Sequence, residues 1–297
     1  MKVLLYDFRW RDEKICEFEA SVGNQFAKKA VSIGDNISIE VSSNVRCGGS
    51  VFEGDFRKCP QDFIGKAKCD MCRAREKSFI FTAFDGFNRD NVTESDLARI
   101  ADEHLVYFAM FDENLIKIGV SKGERKSLRQ IEQGSHFTLY IAKTPDGIVA
   151  RQIETLLRQS GIRDKIKPSQ KKDLFCPEIN SEKGEVVLSS LIQSNLSVFD
   201  EYPHLREFLI EPEFKDWSET YGLNNIEDSE KSFHTVSLTK DESVSGKVIA
   251  IKGPFLAIET PDEIVSVCTK DLYGREIEFD ERPAGLRLNT AFQKALF

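Results

Sequence analysis

The sequence predicts an α+β protein in three parts. An N-terminal β-rich domain with a four-cysteine zinc knuckle spans 1–92, and a central α/β domain spans 93–196. A helical, acidic linker (197–232) leads to a small β-rich, barrel-like C-terminal unit (233–297). Three observations predict this. Runs rich in β-branched and aromatic residues, bounded by polar turns, occupy both ends of the chain. Four of the seven cysteines crowd into residues 47–72. Between Leu105 and Gly161 the apolar spacing switches between strand and helix periods.

At the N-terminus, Val3–Tyr6 and Ile15–Phe18 flank the polar turn Arg11–Lys14. Ala30–Ile33 and Ile37–Val41 flank Gly34-Asp35-Asn36, which reads as a hairpin loop. A helix is expected from Thr93 to about His104, because Thr93-Glu94-Ser95-Asp96 offers a cap and early acids. Leu105–Phe111 is a strand too apolar for a sheet edge. Asp112-Glu113-Asn114 turns it back into Leu115–Val120. Lys122 to about Glu132 reads as a helix stopped at Gln133-Gly134. Phe137–Ala142 is a third strand. A helix opening at Thr144-Pro145-Asp146 carries Ile148, Val149, Ile153, Leu156 and Leu157 on one face and closes at Gly161. The central order is therefore β-β-α-β-α. Residues 181–194 and 203–222 read as helices, and Asn224–Lys231 as a linker. Strands return at Gly246–Ile251, Phe255–Ile258 and Ile264–Val267, as a small barrel or an extension of the N-terminal sheet.

A chain of 297 residues, 40% of them hydrophobic, has material for two or three domains at roughly 150 residues each. No apolar run approaches the ~18 residues of a membrane span. The apolar stretch near the N-terminus is only four residues, too short for a signal peptide. A cytoplasmic protein with neither membrane nor secreted partners is expected. The net charge of −8 excludes a uniformly basic protein, but the charge is uneven. Residues 115–175 hold 13 Lys plus Arg against 6 Asp plus Glu, a local balance of +7. A basic middle inside an acidic chain is the footprint of an anionic partner, or else a solvated helical face.

The cysteine spacing is Cys47-x11-Cys59-x9-Cys69-x2-Cys72. Four thiolates complete a tetrahedral zinc site, and a CxxC turn can set two sulfurs on one ion. Gly48, Gly49 and Gly65 permit the tight backbone of a knuckle. The first pair is not a CxxC, unlike a double-knuckle ribbon. Cys69-Asp70-Met71-Cys72 lacks the preceding strand and following helix of a thioredoxin-type redox motif. A closed four-cysteine site would serve folding rather than chemistry.

The segment Val106-Tyr107 … Lys117-Ile118-Gly119-Val120-Ser121 … Arg129 … Gln133-Gly134 … Glu154 resembles the GIY-YIG nuclease superfamily. A closer resemblance is to an uncharacterised family, a domain of unknown function. That family places a cysteine-rich Gly-x-x-CDxC-like run ahead of such a segment, here Gly65–Cys72, with a C-terminal run like Lys247–Gly253. The nuclease resemblance implies that Tyr107 positions or deprotonates water. It implies that Arg129 steadies charge on a scissile phosphate, and that Glu154 binds Mg²⁺. Lys117 stands where the second motif tyrosine is usual, and Gln133 where many members have histidine. The four residues Tyr107, Lys117, Arg129 and Glu154 would line one cleft. Lys117, Lys122, Arg125, Lys126 and Arg129 would contact nucleic-acid phosphates.

Each residue also has a plainer reading. Tyr107 suits a core strand, Glu154 lies at helical ion-pair spacing from Arg151 and Arg158, and Arg129 could bind phosphate without catalysis. Three functions follow. One is a Mg²⁺-dependent phosphodiester-cleaving, nucleic-acid-processing enzyme. The second is a catalytically inactive nucleic-acid-binding module. The third is a zinc-stabilised scaffold for an acidic protein partner.

Overall fold

A computed structural model describes residues 2–23, 25–52, 55–76, 84–88, 90, 92–171, 174–176, 178–279 and 283–289. The chain is mixed α+β, rich in sheet and poor in helix. It divides into two units, Met1–Ser78 together with Thr220–Phe297, and Phe79–Glu219. Among the described residues no helix is long and apolar enough to cross a membrane.

The first unit opens with β1 (Lys2–Trp10), β2 (Ile15–Val22), β3 (Gln25–Ser32) and β4 (Asn36–Val41). The short pair β5 (Ser50–Phe52) and β6 (Asp55–Arg57) follows, then α1 (Asp70–Arg75).

The second unit begins with α2 (Glu94–Arg99), capped reciprocally by Thr93 and Asp96. This helix is shorter than expected. Ile100 buries its side chain and ends the helix, and His104 already belongs to β7 (His104–Asp112). β8 (Leu115–Lys122) returns antiparallel to β7. A 3₁₀ turn leads into α3 (Lys126–Gln133), which Gly134 caps in the left-handed conformation at φ +74°. Then come β9 (Phe137–Thr144), α4 (Gly147–Gln159) and α5 (Ser181–Gln193). Asp146 caps α4 by accepting from the Ile148 and Val149 N–H groups. The expected helix over 203–222 is replaced by one helical turn, α6 (Pro203–Arg206), and a strand, β10 (Leu209–Asp216). Pro212 cannot continue a helix, and an edge strand tolerates it at a bulge. β10 pairs with β9 at the edge of a sheet ordered β10-β9-β7-β8, and its register shifts between Leu209 and Glu213.

β7 lies inside this sheet and is buried on both faces, which explains its unbroken apolar sequence. Val106, Phe108 and Met110 face α4 and α5 and meet Ile153, Leu157, Leu188 and Ile192. Leu105, Tyr107, Ala109 and Phe111 face the other way and pack with Tyr140.

After one-turn helices at Ser218–Tyr221 and Asn224–Glu227 the chain returns to the first unit. It adds β11 (Ser232–Val236), β12 (Ser243–Lys252), β13 (Phe255–Glu259), β14 (Glu263–Cys268), β15 (Glu276–Glu278) and β16 (Gly285–Arg287). These strands form no separate C-terminal barrel. They extend the N-terminal sheet in the order β11-β14-β13-β12-β4-β15-β1-β2-β3, with β16 on β12. The expected β3–β4 hairpin is absent for the same reason. β4 is bonded to β12 and β15, and the Gly34-Asp35 turn exchanges hydrogen bonds with Val248 (2.8 Å each way). Ile37, Ile39 and Val41 belong in the sheet interior, whereas β3 carries exposed Lys28 and Lys29 and takes the edge.

Candidate functional site

The cysteine cluster is built from three loops and a helix start. Cys47 N–H bonds the Phe63 carbonyl (2.7 Å), Gly48 N–H the Ala67 carbonyl (3.0 Å) and Gly65 N–H the Val45 carbonyl (2.8 Å). These bonds lash the segment before β5 to the segment before α1. Gly49 has φ +98°, and any Cβ there would collide with the Arg57 carbonyl. Cys69 is the N-cap of α1, and its sulfur accepts from the Cys72 N–H (3.5 Å). The Cys69 N–H in turn donates to the Cys47 sulfur (3.2 Å).

All four thiols are buried, and their sulfurs lie within 4.8 Å of one another. Cys59 and Cys69 Sγ are 3.8 Å apart. Four sulfurs at ~2.3 Å from one tetrahedral ion stand ~3.8 Å apart, so the cluster fits a metal such as zinc. Burial pushes the Cys72 and Cys47 thiols up. Burial also acts on Cys59, but the N–H groups of Phe63 and Gln61 and the neighbouring thiols outweigh it and bring that thiol down to about 7. A cation would relieve the buried thiolates directly.

A clamp that sequence reasoning missed flanks the cluster. Lys68 Nζ donates to Tyr6 Oη (2.9 Å) and to Glu76, while Tyr6 Oη donates to Glu76. Val51 N–H donates to Glu76 (3.0 Å). One residue before Cys69, one after α1 and one on β1 are thereby tied together.

In the second unit, β7 and β8 pair Tyr107 with Gly119 and Ala109 with Lys117, so Tyr107 and Lys117 share a face. Tyr107 Oη accepts from the Gln133 amide (2.8 Å), which brings α3 over that face. Burial, above all, raises the Tyr107 phenol, while Arg129 pulls it down and Glu154 pushes it up. Burial, first of all, brings Lys117 down to a net value of about 8. The Arg129 guanidinium contributes to that lowering, and the Glu154 and Asp164 carboxylates oppose it. Arg129 and Glu154 thus each act on both Tyr107 and Lys117.

Glu154 arrives differently from the other three. It belongs to α4, whose apolar stripe packs on the opposite, Val106–Phe108 face. Its carboxylate is ion-paired with Arg151, and both side chains are nearly buried (7% and 11% exposed). Arg151 is pinned in turn, its Nε donating to the Phe84 carbonyl (2.6 Å). Thr155 and Gln152 bond the carbonyls of Asp85 (2.8 Å) and Gly86 (3.2 Å), so residues 84–86 form a strap along α4. Helical spacing had singled out the Arg151–Glu154 pair, but its burial and the strap are tertiary features. The Arg151 guanidinium meets one oxygen of the Glu154 carboxylate, Oε2. Among the described residues, the only group of three or more metal-ligating side chains is the four cysteines.

The other basic residues are spoken for. Lys122 pairs with Asp102 (3.0 Å), Arg125 with Glu132 (2.7 Å), and Lys126 with Glu213 while lying over the Tyr140 ring. Lys117 and Arg129 have no ion-pair partner among the described residues.

The family described as "Protein of unknown function (DUF2797)" matches residues 34–274. The chain belongs to this family. No curated protein and no solved structure matches it. The DUF2797 span takes in all four cysteines and Tyr107, Lys117, Arg129 and Glu154.

Proposed function

We propose that this DUF2797 chain is a zinc-stabilised nucleic-acid-binding protein. Cys47, Cys59, Cys69 and Cys72 would hold the zinc, which supplies folding energy to the sheet-rich unit. The second unit would grip backbone phosphates in a GIY-YIG-like cleft. One observation carries this reading: Lys117 shares a sheet face with Tyr107, whose hydroxyl is bonded to Gln133, one helical turn after Arg129 on α3. Cations on the Tyr107 side of the sheet suit an oxyanion, and phosphodiesters are the oxyanions that also suit a locally basic chain.

A second reading, phosphodiester cleavage in the same cleft, is favoured by the electrostatic coupling of Tyr107, Arg129 and Glu154. A screen of single- and double-stranded DNA and RNA tests both, with and without Mg²⁺. Salt-sensitive binding without cleavage supports the binding module. Strand cleavage abolished by Glu154→Gln supports the processing enzyme. An absence of binding at low salt overturns both readings and leaves the scaffold for an acidic protein.

A further inference from the structure

Among the described residues six large apolar side chains are exposed, and two of them, Phe63 and Ile64, are neighbours on the loop between Cys59 and Cys69. Ile64 is the most exposed of the six, at 74%. Apolar side chains scattered singly over a surface are ordinary, but an adjacent pair on an anchored tip marks a contact site. We propose that this tip binds single-stranded nucleic acid, with an unpaired base on the Phe63 ring and a neighbouring phosphate at Lys2 and Lys58. The surface belongs to the first unit, so the inference goes beyond the reading above and does not rest on it.

The cysteines build the tip. The Phe63 N–H donates to the Cys59 sulfur, and the Phe63 carbonyl accepts from the Cys47 N–H (2.7 Å). Ile64 pairs with Arg46 as an isolated antiparallel bridge, and the Gly65 N–H closes on the Val45 carbonyl (2.8 Å). A tip anchored on two of the four cysteines is ordered before a ligand arrives, which spares the entropy of ordering it on binding. Beside it, Lys2, Arg46 and Lys58 converge on a cavity of about 100 Å³ against Cys47, with Asp62 and Glu276 as its acids. Arg46 is bonded to Glu276. Lys58 lies 3.6 Å from Asp62, but both side chains are more than half exposed, and such a pair is worth little and yields readily to a phosphate. Lys2 has no ion-pair partner among the described residues. From Arg57 to Arg75 the chain holds six Lys plus Arg against two Asp, a balance of +4. A zinc ion with four thiolates carries a net charge of about −2, so the loop stays positive around the metal. A single strand meets both demands, since each base offers a π-face and each link a negative charge. In a duplex those faces are already stacked.

The test uses the full-length, zinc-loaded chain and fluorescein-labelled oligouridylate and oligodeoxythymidylate, with a mixed-sequence duplex alongside, read by fluorescence anisotropy. Phe63→Leu keeps the backbone bonds to Cys47 and Cys59 but removes the stacking ring. It should weaken single-strand binding by about tenfold and leave the salt slope unchanged. Lys2→Ala and Lys58→Ala should each lower the slope of log K against log salt by up to about 0.7. Elemental analysis checks that each variant keeps its zinc. Should Phe63→Leu lose it, the two lysine variants decide through the slope. Four results overturn the proposal: no single-strand binding at low salt, Phe63→Leu within about twofold of the wild type, a duplex bound more tightly than the single strands, or self-association that Ile64→Ser abolishes with no oligonucleotide bound. Arg129→Ala separates this surface from the second unit. Affinity lost in Phe63→Leu and kept in Arg129→Ala supports the tip and removes the phosphate reading above. The opposite pattern removes the tip and leaves that reading standing, and losses in both variants support two surfaces.

Discussion

The hydroxyl of Tyr107 lies directly over Gly119 on the neighbouring strand, so close that a Cβ at position 119 would stand 2.6 Å from Oη and 2.7 Å from Cζ. The absence of a side chain at 119 is what lets the ring lie flat and present its oxygen to Gln133. Gly119→Ala must push a buried ring, and overpacking of this kind costs about 1–3 kcal/mol of unfolding free energy, read by urea titration. Tyr107→Phe alone should cost about 1 kcal/mol for the lost hydrogen bond. It should not rescue Gly119→Ala, because the ring carbon is itself too close. Full rescue would mean that the ring does not occupy this position.

The cysteine cluster predicts about one zinc per chain in protein purified without chelator. Cys72→Ser should lower the metal content and destabilise the unit that contains residues 2–76, because metal binding is coupled to folding. Elemental analysis and thermal unfolding check this. Cys16→Ser, also buried but outside the cluster, should leave the metal content unchanged.

The parts legible in the sequence were those set by local spacing. Four crowded cysteines, the Asp112-Glu113-Asn114 turn, the Asp146 cap and the Gly134 stop each act within a few residues. What stayed hidden was non-local. β15 is three residues long and finds its place only by inserting between β1 and β4, more than 230 positions earlier in the chain. β10 is masked by Pro212 and alternating charges, and becomes a strand only because β9 offers an edge. The candidate cleft divides the same way. Tyr107, Lys117 and Gly119 follow from a hairpin register, whereas the Phe84 strap that fixes Arg151 on Glu154 has no sequence signal.

The charge pairing refines the electrostatic expectation for nucleic acid. Lys122, Arg125 and Lys126 each have an internal acid, so they release fewer counterions than their number suggests. Arg129→Ala should reduce the slope of log K against log salt by up to about 0.9 on a duplex, and Arg125→Ala by less. Fluorescence anisotropy across a salt series reads both slopes. Equal effects would show that the Arg125–Glu132 pair opens on binding.

Burial of the Lys117 ammonium should be visible as a stability that depends on pH. In the folded chain this group gives up its proton at about 8, first because of burial and then because of Arg129. In the unfolded chain it holds the proton to about 10.4. Between these values the unfolded state binds more protons, so the Lys117 contribution makes the fold more stable as pH rises through that window. Below pH 8 both states are protonated, and the full cost of burying the charge remains, about 3 kcal/mol. Lys117→Met keeps the length and removes the charge. It should therefore be more stable than the wild type at pH 7, and the gap should close towards pH 10.5. Other groups titrate in the same range, but they cancel in the difference between the two proteins. Urea unfolding of both at pH 7, 8.5 and 10 measures this difference. A methionine variant less stable than the wild type at pH 7, or a gap that stays constant with pH, would show that burial does not lower the Lys117 ammonium.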